Sequence, residues 1–475
     1  MSTHPLEEIL HPQSIAVVGA SDNPGRRSIF VSPLLEFGFK GKIYPVNPKY
    51  SEISGLKAYP SLREIPGSVD YVISAVPASE VLNMLADCSQ KGVKCIHLFT
   101  ARFSETGRQE AAELEQEILK QARKSGIRLI GPNCMGIYYP QQGVSWSDDF
   151  PKEPGVAGLA FQSSYAAEDF VHLASLRGIR FSKVIGYGNA LDFNESDFLD
   201  YLAQDHETKI ILLYIEGVKD GKRFFNSLRQ AASTKPVIIV KGGRGKAGTR
   251  AAASHTASLA GSIKVWETVV TQAGAISAQD LDELIDLAVS FYFLPPIKGR
   301  RVGVYGGAGG PSVFAADQCE EAGLDVIPLP TEIREELKSK GIAVWDWIGN
   351  PIDGSIMMDV TFSTVDMLQI MARNQNFDLL LTSVHAPRRN EQLETSVDAH
   401  LEPYKLINNT LKPLLAVVTE RNQAINDYDN WKLTCEVKTK LIAANIPFYP
   451  TLGRAARAAR KLIDYYRKRG QKLDS

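Results

Sequence analysis

The chain has 475 residues, with 53 Lys and Arg against 54 Asp and Glu. That balance points neither to a nucleic-acid surface nor to a polybasic patch for a membrane. Five cysteines (Cys88, Cys95, Cys134, Cys319, Cys435) lack metal-ligand spacing, so no metal site is expected and a reducing compartment is. The opening MSTHPLEEIL has no basic stretch before an apolar one, and no apolar run approaches the ~18 residues of a membrane span. The expectation is a cytoplasmic protein of about three domains, at ~150 residues each.

Short apolar runs alternate with longer amphipathic stretches from end to end. The first round of strands is SIAVVGAS, GKIYPVNP, VDYVISAVP, KCIHLFTA and IRLIGPN, with RQEAAELEQEILKQARKSG the clearest helix between them. Continuous apolar strands separated by helices predict a parallel sheet covered on both faces. YYPQQGVSWSDDFPKEPG reads as a linker near residue 150. The pattern restarts with GVAGLAFQ, RFSKVIGYGN, KIILLYIEG and KPVIIVKGG, breaks again at YFLPPIKGRR, and runs a third time through RVGVYGGAGG, LDVIPLP, FDLLLTSVHAP and LKPLLAVVTER. Three α/β units follow, 1–145, 150–295 and 299–475, and the basic end reads as a solvated helix.

Several strand ends carry turn residues where open parallel sheets bind ligands. GASDNPG follows the first strand; Gly19 allows a tight turn, and the helix beyond it would face an anion with free N–H groups. The spacing is not GxGxxG, which counts against a nicotinamide-dependent oxidoreductase. YPVNPKY and SAVPASE end two neighbouring strands. In LIGPNCMG, Cys134 is either a nucleophile or, the better reading, a buried structural thiol. In FQSSYAAEDF, Ser163 or Ser164 caps a helix. Glu216 ends the apolar run of LLYIEGV, either as the exposed residue where the strand leaves the core or as a carboxylate that orients a histidine. Of the eight histidines, only His255 lies in a loop of small residues, KGGRGKAGTRAAASHTASLAG. GGAGGPS is a phosphate cradle without the P-loop lysine, or a plain turn.

In this order the segments resemble the alpha subunit of nucleoside-diphosphate-forming acyl-CoA synthetases, the acetate–CoA ligase (ADP-forming) family within the succinyl-CoA synthetase superfamily. The resemblance rests on HPQSIAVVGASDNPG, FKGKIYPVNPKYSEISGLKAYPSL, IRLIGPNCMGIY, GYGNALDFNESDFLDYLAQDHETKIILLYIEGV, KPVIIVKGGRGKAGTRAAASHTASLAG and GNPID, nearly the whole chain. It implies an N-terminal Rossmann-like CoA-binding domain followed by two flavodoxin-like, succinyl-CoA synthetase-like parallel-sheet domains. It implies that acyl-CoA, ADP and phosphate interconvert with a carboxylic acid, CoA and ATP through an acyl phosphate and a phosphorylated His255. Glu216 would hydrogen-bond the other ring nitrogen.

The resemblance assigns CoA to Gly19, Ser21, Pro24, Gly25, Val46, Asn47, Pro48, Lys49, Val76, Pro77 and Asn133. It assigns the phosphoryl group to two helix starts, one at Gln162, Ser163 and Ser164 and one at Gly309 and Gly310. The three units leave no room for an ATP-grasp region, so the resemblance implies a separate ATP-grasp beta subunit that brings ATP or ADP with Mg2+, in an α2β2 assembly. Five positions depart from the family pattern: Ser28, Arg102, Phe161, Ser164 and Ala257. Phe161 and Ser164 are expected at the acyl and phosphate end of the site, where they reshape the acyl pocket or reduce turnover. Arg102 adds a charge for an acidic substrate or is a surface residue. The competing reading is a CoA-responsive binding or regulatory protein that has lost turnover.

Overall fold

The computed structural model describes residues 4–22, 30–256, 262–356, 362–386, 396–410, 412–419 and 427–473. The chain forms two compact units, Met1–Leu284 and Ile285–Ser475.

The first unit holds two large sheets. In the first, β1 (Ser14–Val18), β2 (Lys42–Val46), β5 (Tyr71–Ser74), β6 (Cys95–Leu98) and β7 (Arg128–Ile130) lie in the order β2-β1-β5-β6-β7, all parallel. A two-stranded hairpin, β3 (Glu52–Ile53) and β4 (Leu56–Lys57), stands apart. The strands are apolar because helices cover both faces. Ala16, Val72, Ile96 and Leu129 are fully buried, with Leu85, Ile118 and Ala122 packed over them.

The second sheet contains β8 (Gly136–Tyr138), β9 (Ala157–Phe161), β10 (Phe181–Gly186), β11 (Ile210–Ile215), β12 (Val237–Lys241) and β13 (Ile276–Ala278), ordered β13-β12-β11-β9-β10-β8. All pairs are parallel except β8 with β10. The register pairs Phe161 with Tyr214 and Ile215 with Lys241, so β9, β11 and β12 end side by side.

The second unit has one parallel sheet, β15-β14-β16-β17-β18, from β14 (Val302–Gly307), β15 (Ile352–Asp353), β16 (Leu379–Ser383), β17 (Leu414–Val417) and β18 (Phe448–Tyr449). Apart from the antiparallel edge strand β8, all three sheets share the strand order 2-1-3-4-5, which places a crevice beyond the carboxyl ends of the first and third strands. The terminal helix Leu452–Leu473 closes the second unit, with Ala455, Ala459 and Leu462 buried.

Two local readings change. The stretch read as a linker is largely core. Tyr138, Tyr139, Trp146 and Phe150 are buried, and the Tyr138 ring lies 4.9 Å from Phe150 and 6.3 Å from Trp146 and Phe181. Its aromatics fill space that polarity and prolines did not suggest, and β8 belongs to the second sheet. LDVIPLP makes only an isolated bridge, Arg301 with Asp325, because Pro328 and Pro330 have no N–H to offer a ladder. The Asn350 side chain bridges there instead, accepting from Val304 N–H at 2.9 Å and donating to Val302 and Ile327 carbonyls, each at 2.9 Å.

Candidate functional site

In the first unit a cleft of about 600 Å³ opens where the strand ends of the first two sheets meet. Of the residues selected from sequence, Val76, Pro77, Asn133, Gln162 and Ser164 line it, together with Arg102. Phe99, Met135 and Tyr165 also line it and were missed, since single apolar or aromatic residues past a strand end carry no signal of their own.

The first sheet contributes a set of tight turns. Gly19 has φ +89°, and a Cβ there would lie 2.7 Å from the Ala75 carbonyl oxygen, so only glycine lets the chain leave β1 beside the end of β5. Its N–H donates to Val46, itself buried at the end of β2. Asn47 holds two turns together: its amide donates to the Ala20 carbonyl at 2.7 Å and its oxygen accepts from Lys49 N–H at 3.0 Å. Pro48 and Lys49 are exposed, and the Ser21 hydroxyl lies 3.5 Å from that of Tyr50. None of Gly19, Ser21, Val46, Asn47, Pro48 and Lys49 lines the cleft itself; they stand at neighbouring strand ends. Pro24, Gly25, Ser28 and Ala257 lie outside the described residues.

Cys134 is buried, its thiol facing the Leu98 carbonyl at 3.8 Å, and burial pushes the thiol's pKa well up. A thiol held protonated is a poor nucleophile, so the structural reading of Cys134 stands. Burial also lowers the pKa of His97 to about 4, its ring 2.9 Å from the Cys134 carbonyl oxygen.

The second sheet supplies the polar groups. Ser163 caps the helix Ser164–Ser175 by accepting from Ala166 N–H. Gln162, at the end of β9, accepts from the backbone N–H groups of Glu216 and Gly217 at 2.8 and 3.1 Å. One sequence expectation fails here. Phe161 turns into the core, its ring 5.4 Å from Phe170 and 5.7 Å from Tyr214, and does not line the cleft, because strand alternation sends it to the face opposite Gln162. Ser164 does line the cleft, but its hydroxyl is taken up by Met135 N–H at 2.9 Å and fits against Gly186, where a Cβ would lie 2.5 Å from the oxygen.

Glu216 is buried at the end of β11 rather than exposed. Tyr214 donates its phenol to the carboxylate at 3.1 Å. Lys241, also buried, donates to the Glu216 and Gly242 carbonyls at 2.6 and 2.5 Å. Burial lowers the lysine's proton affinity, and the charge on Glu216 opposes that shift.

His255 sits in the last turn of a helix, Lys246–Thr256, and not in a loop; its side chain lies outside the described residues. Alanine is the strongest helix former, which explains the AAA run. The glycines serve the helix start: Gly243 has φ +71°, and a Cβ on Gly248 would lie 3.2 Å from the Gly243 Cα. This helix packs beside the short turn Ser104–Thr106. There the Glu105 carboxylate accepts from Arg102 N–H at 2.5 Å and from the Asn189 amide at 2.7 Å. Arg102 itself has φ +78°, is exposed, and lines the cleft.

In the second unit Gly309 has φ +56° and precedes the helix Gly310–Glu321. Its N–H donates to the Asp353 carboxylate at 2.8 Å. Ser355 and that N–H hold the Asp353 carboxyl below the usual carboxylate range. Among the described residues no group of three or more His, Cys, Asp or Glu could hold a metal ion, and no helix is long and apolar enough to cross a membrane.

A CoA binding domain matches residues 13–140, and a succinyl-CoA ligase like flavodoxin domain matches residues 154–291. The alpha subunit of acetate–CoA ligase (ADP-forming) II from Pyrococcus furiosus is 37% identical over 87% of this chain and 89% of its own length. Acetate–CoA ligase (ADP-forming) from Methanocaldococcus jannaschii is 39% identical over 73% of this chain, which spans 49% of that protein. A solved structure of a dinucleotide-forming acetyl-coenzyme A synthetase from Ca. Korarchaeum cryptofilum superposes with a TM-score of 0.80 at 28% identity, covering 99% of this chain and 98% of its own. The chain belongs to the ADP-forming acetate–CoA ligase family, as an alpha-subunit-type chain.

Proposed function

We propose that this chain binds CoA through the turns of its first sheet and carries the phosphoryl group on His255, in the interconversion of acyl-CoA, ADP and phosphate with a carboxylic acid, CoA and ATP. The observation that carries the proposal is Glu216: a buried carboxylate, hydrogen-bonded by a phenol, at the strand end next to the segment that leads to His255.

In this reading a phosphate oxygen attacks the thioester carbonyl and CoA leaves as the thiolate, giving an acyl phosphate. A ring nitrogen of His255 then attacks phosphorus, the P–O bond breaks, and the carboxylate departs. Glu216 accepts the N–H of the other ring nitrogen, which selects the tautomer and raises the nucleophilicity of the attacking one. The start of the helix Ser164–Ser175 offers N–H groups and a partial positive charge to the transferring oxygens. A separate ATP-grasp beta subunit, in an α2β2 assembly, takes the phosphoryl group to ADP with Mg2+. The second-unit helix start at Gly309 and Gly310 is the other phosphoryl-facing end. The five cysteines are free thiols, which fits work in a reducing cytoplasm.

The test is phosphorylation of the purified chain by labelled ATP and magnesium, with and without an ATP-grasp chain, repeated with His255→Ala. Acid-labile, alkali-stable label that needs the ATP-grasp chain and vanishes in the variant supports the proposal. Absence of label with an ATP-grasp chain active toward another alpha chain would sink it; CoA binding without label would favour a regulatory protein.

A further inference from the structure

We infer that Tyr214 is a positioning residue that aims the Glu216 carboxylate, and that Gly242 is glycine to make room for it. The inference rests on the reading of Glu216 and His255 just given.

Tyr214 and Glu216 are two apart along one strand direction, so their side chains leave the same face. The phenol donates to Glu216 Oε1 at 3.1 Å. Burial, and then the charge on Glu216, raise the tyrosine's pKa, so the hydroxyl stays protonated and remains a donor. Its ring is held by Phe161, 5.7 Å away. That contact gives Phe161 a task remote from the acyl group: it braces the tyrosine.

The backbone of Glu216 is anchored on both sides. Gln162 accepts from its N–H and that of Gly217, and the Lys241 ammonium donates to its carbonyl. With the main chain fixed, the phenol's bond to Oε1 bears directly on the direction of the carboxyl plane. Gly242 completes the arrangement. The pairing of Ile215 with Lys241 brings it level with Glu216. A Cβ there would lie 2.6 Å from Tyr214 Oη and 3.1 Å from Glu216 Cγ. Gly242 is not among the glycines with positive φ, so space, and not backbone conformation, excludes other residues.

Among the described residues, the titratable groups that face Glu216 include Tyr214 on its own strand, Lys241 on β12 and the Tyr187 phenol, which lies within electrostatic reach. Of these, Tyr214 donates directly to the carboxylate oxygen. A hydrogen bond to the ionised form favours that form. Removing it raises the proton affinity of Glu216, so the acid limb of any rate that needs the carboxylate moves to higher pH.

The experiment is the rate of His255 phosphorylation from Mg-ATP, with the full chain and an ATP-grasp partner, measured across pH. The chains are wild type, Tyr214→Phe, Gly242→Ala and Glu216→Gln, with CoA binding as the control for folding. Tyr214→Phe keeps the ring and its contact with Phe161. It should slow phosphorylation about tenfold at neutral pH and move the acid limb up by about one pH unit, since a bond to a charged group is worth roughly one pKa unit or more. Gly242→Ala should reproduce that signature by displacing the phenol, and it keeps the test open if one variant fails to fold. CoA affinity should not change. If Glu216→Gln slows phosphorylation while Tyr214→Phe and Gly242→Ala match wild type, or slow it equally at every pH, the positioning role is overturned. If Glu216→Gln matches wild type, the reading of the catalytic pair fails, and this inference with it.

Discussion

The second and third sheets share one strand order and differ at its working end. In both, the chain leaves the first strand of the order, turns, and starts a helix at the topological switch point. In the second sheet the turn is built from side chains: Ser163 caps the helix, Gln162 reaches the next strand end, and Glu216 and Lys241 are buried beside it. In the third, the turn is nearly all glycine, and a carboxylate from the neighbouring edge strand, Asp353, occupies the Gly309 N–H. Topology therefore provides a helix start, and the strand-end side chains decide its charge. One start is capped by a hydroxyl; at the other a carboxylate already takes the Gly309 N–H.

The largest effect that would break this comparison is expected at Glu216. Glu216→Gln should slow His255 phosphorylation about 100-fold, within the range for loss of an acid–base partner, while CoA affinity in a direct titration stays at the wild-type value. A wild-type rate would make the second sheet's strand end no more functional than the third's.

The next concerns packing behind the first helix start. Gly186→Ala puts a Cβ 2.5 Å from Ser164 Oγ, and overpacking of this kind costs about 1–3 kcal/mol. The variant should melt several degrees lower, and the chain that also carries Ser164→Gly should lose less than the sum of the two single losses. If the two changes add without coupling, Ser164 and Gly186 are not the pair the geometry makes them.

Arg102 should show a smaller effect of opposite sign. It holds a left-handed conformation that costs a side-chain-bearing residue about 1 kcal/mol, so Arg102→Gly should raise the melting temperature slightly. A lowered melting temperature would mean that the arginine side chain offsets that strain.

The smallest effect is expected at Asp353, which is only partly buried. Its carboxyl is depressed by Ser355 and by Gly309 N–H, so its contribution to stability is present above the unfolded carboxylate value and is lost as pH falls through the folded one. Wild type should therefore melt above Asp353→Asn at neutral pH, with the gap closing on acidification below the ordinary carboxylate range. A gap that is constant with pH would separate the carboxylate's charge from the third sheet's turn.

Much of the fold was legible because strands buried on both faces read as unbroken apolar runs. KIILLYIEG and KPVIIVKGG became β11 and β12 for that reason. LDVIPLP shows the limit: it is as apolar as its neighbours, but its prolines cannot join a ladder and Asn350 does the bridging. The linker reading failed for the converse reason. Its polar, proline-rich composition outweighed four visible aromatics whose partners lie on another strand and helix, so only their meeting shows a core.

The site divides in the same way. Glu216 and the glycine turns were visible because a carboxylate at the end of an apolar strand, and glycines after one, are local facts. That Phe161 faces inward, that the Ser164 hydroxyl is taken by Met135 N–H, and that Gln162 ties β9 to the end of β11 are not local.

By itself the sequence determined the alternation of strand and helix, the resemblance that names the family, and the positions of His255 and Glu216 along the chain, since each follows from the order of residues. Tertiary structure decided which strand ends are neighbours and hence what touches Glu216. Parallel strands far apart in sequence end at one level only after the sheet has formed. The distances from Glu216 to Tyr214, Lys241 and Gln162 depend on that register, which no single stretch of the chain contains.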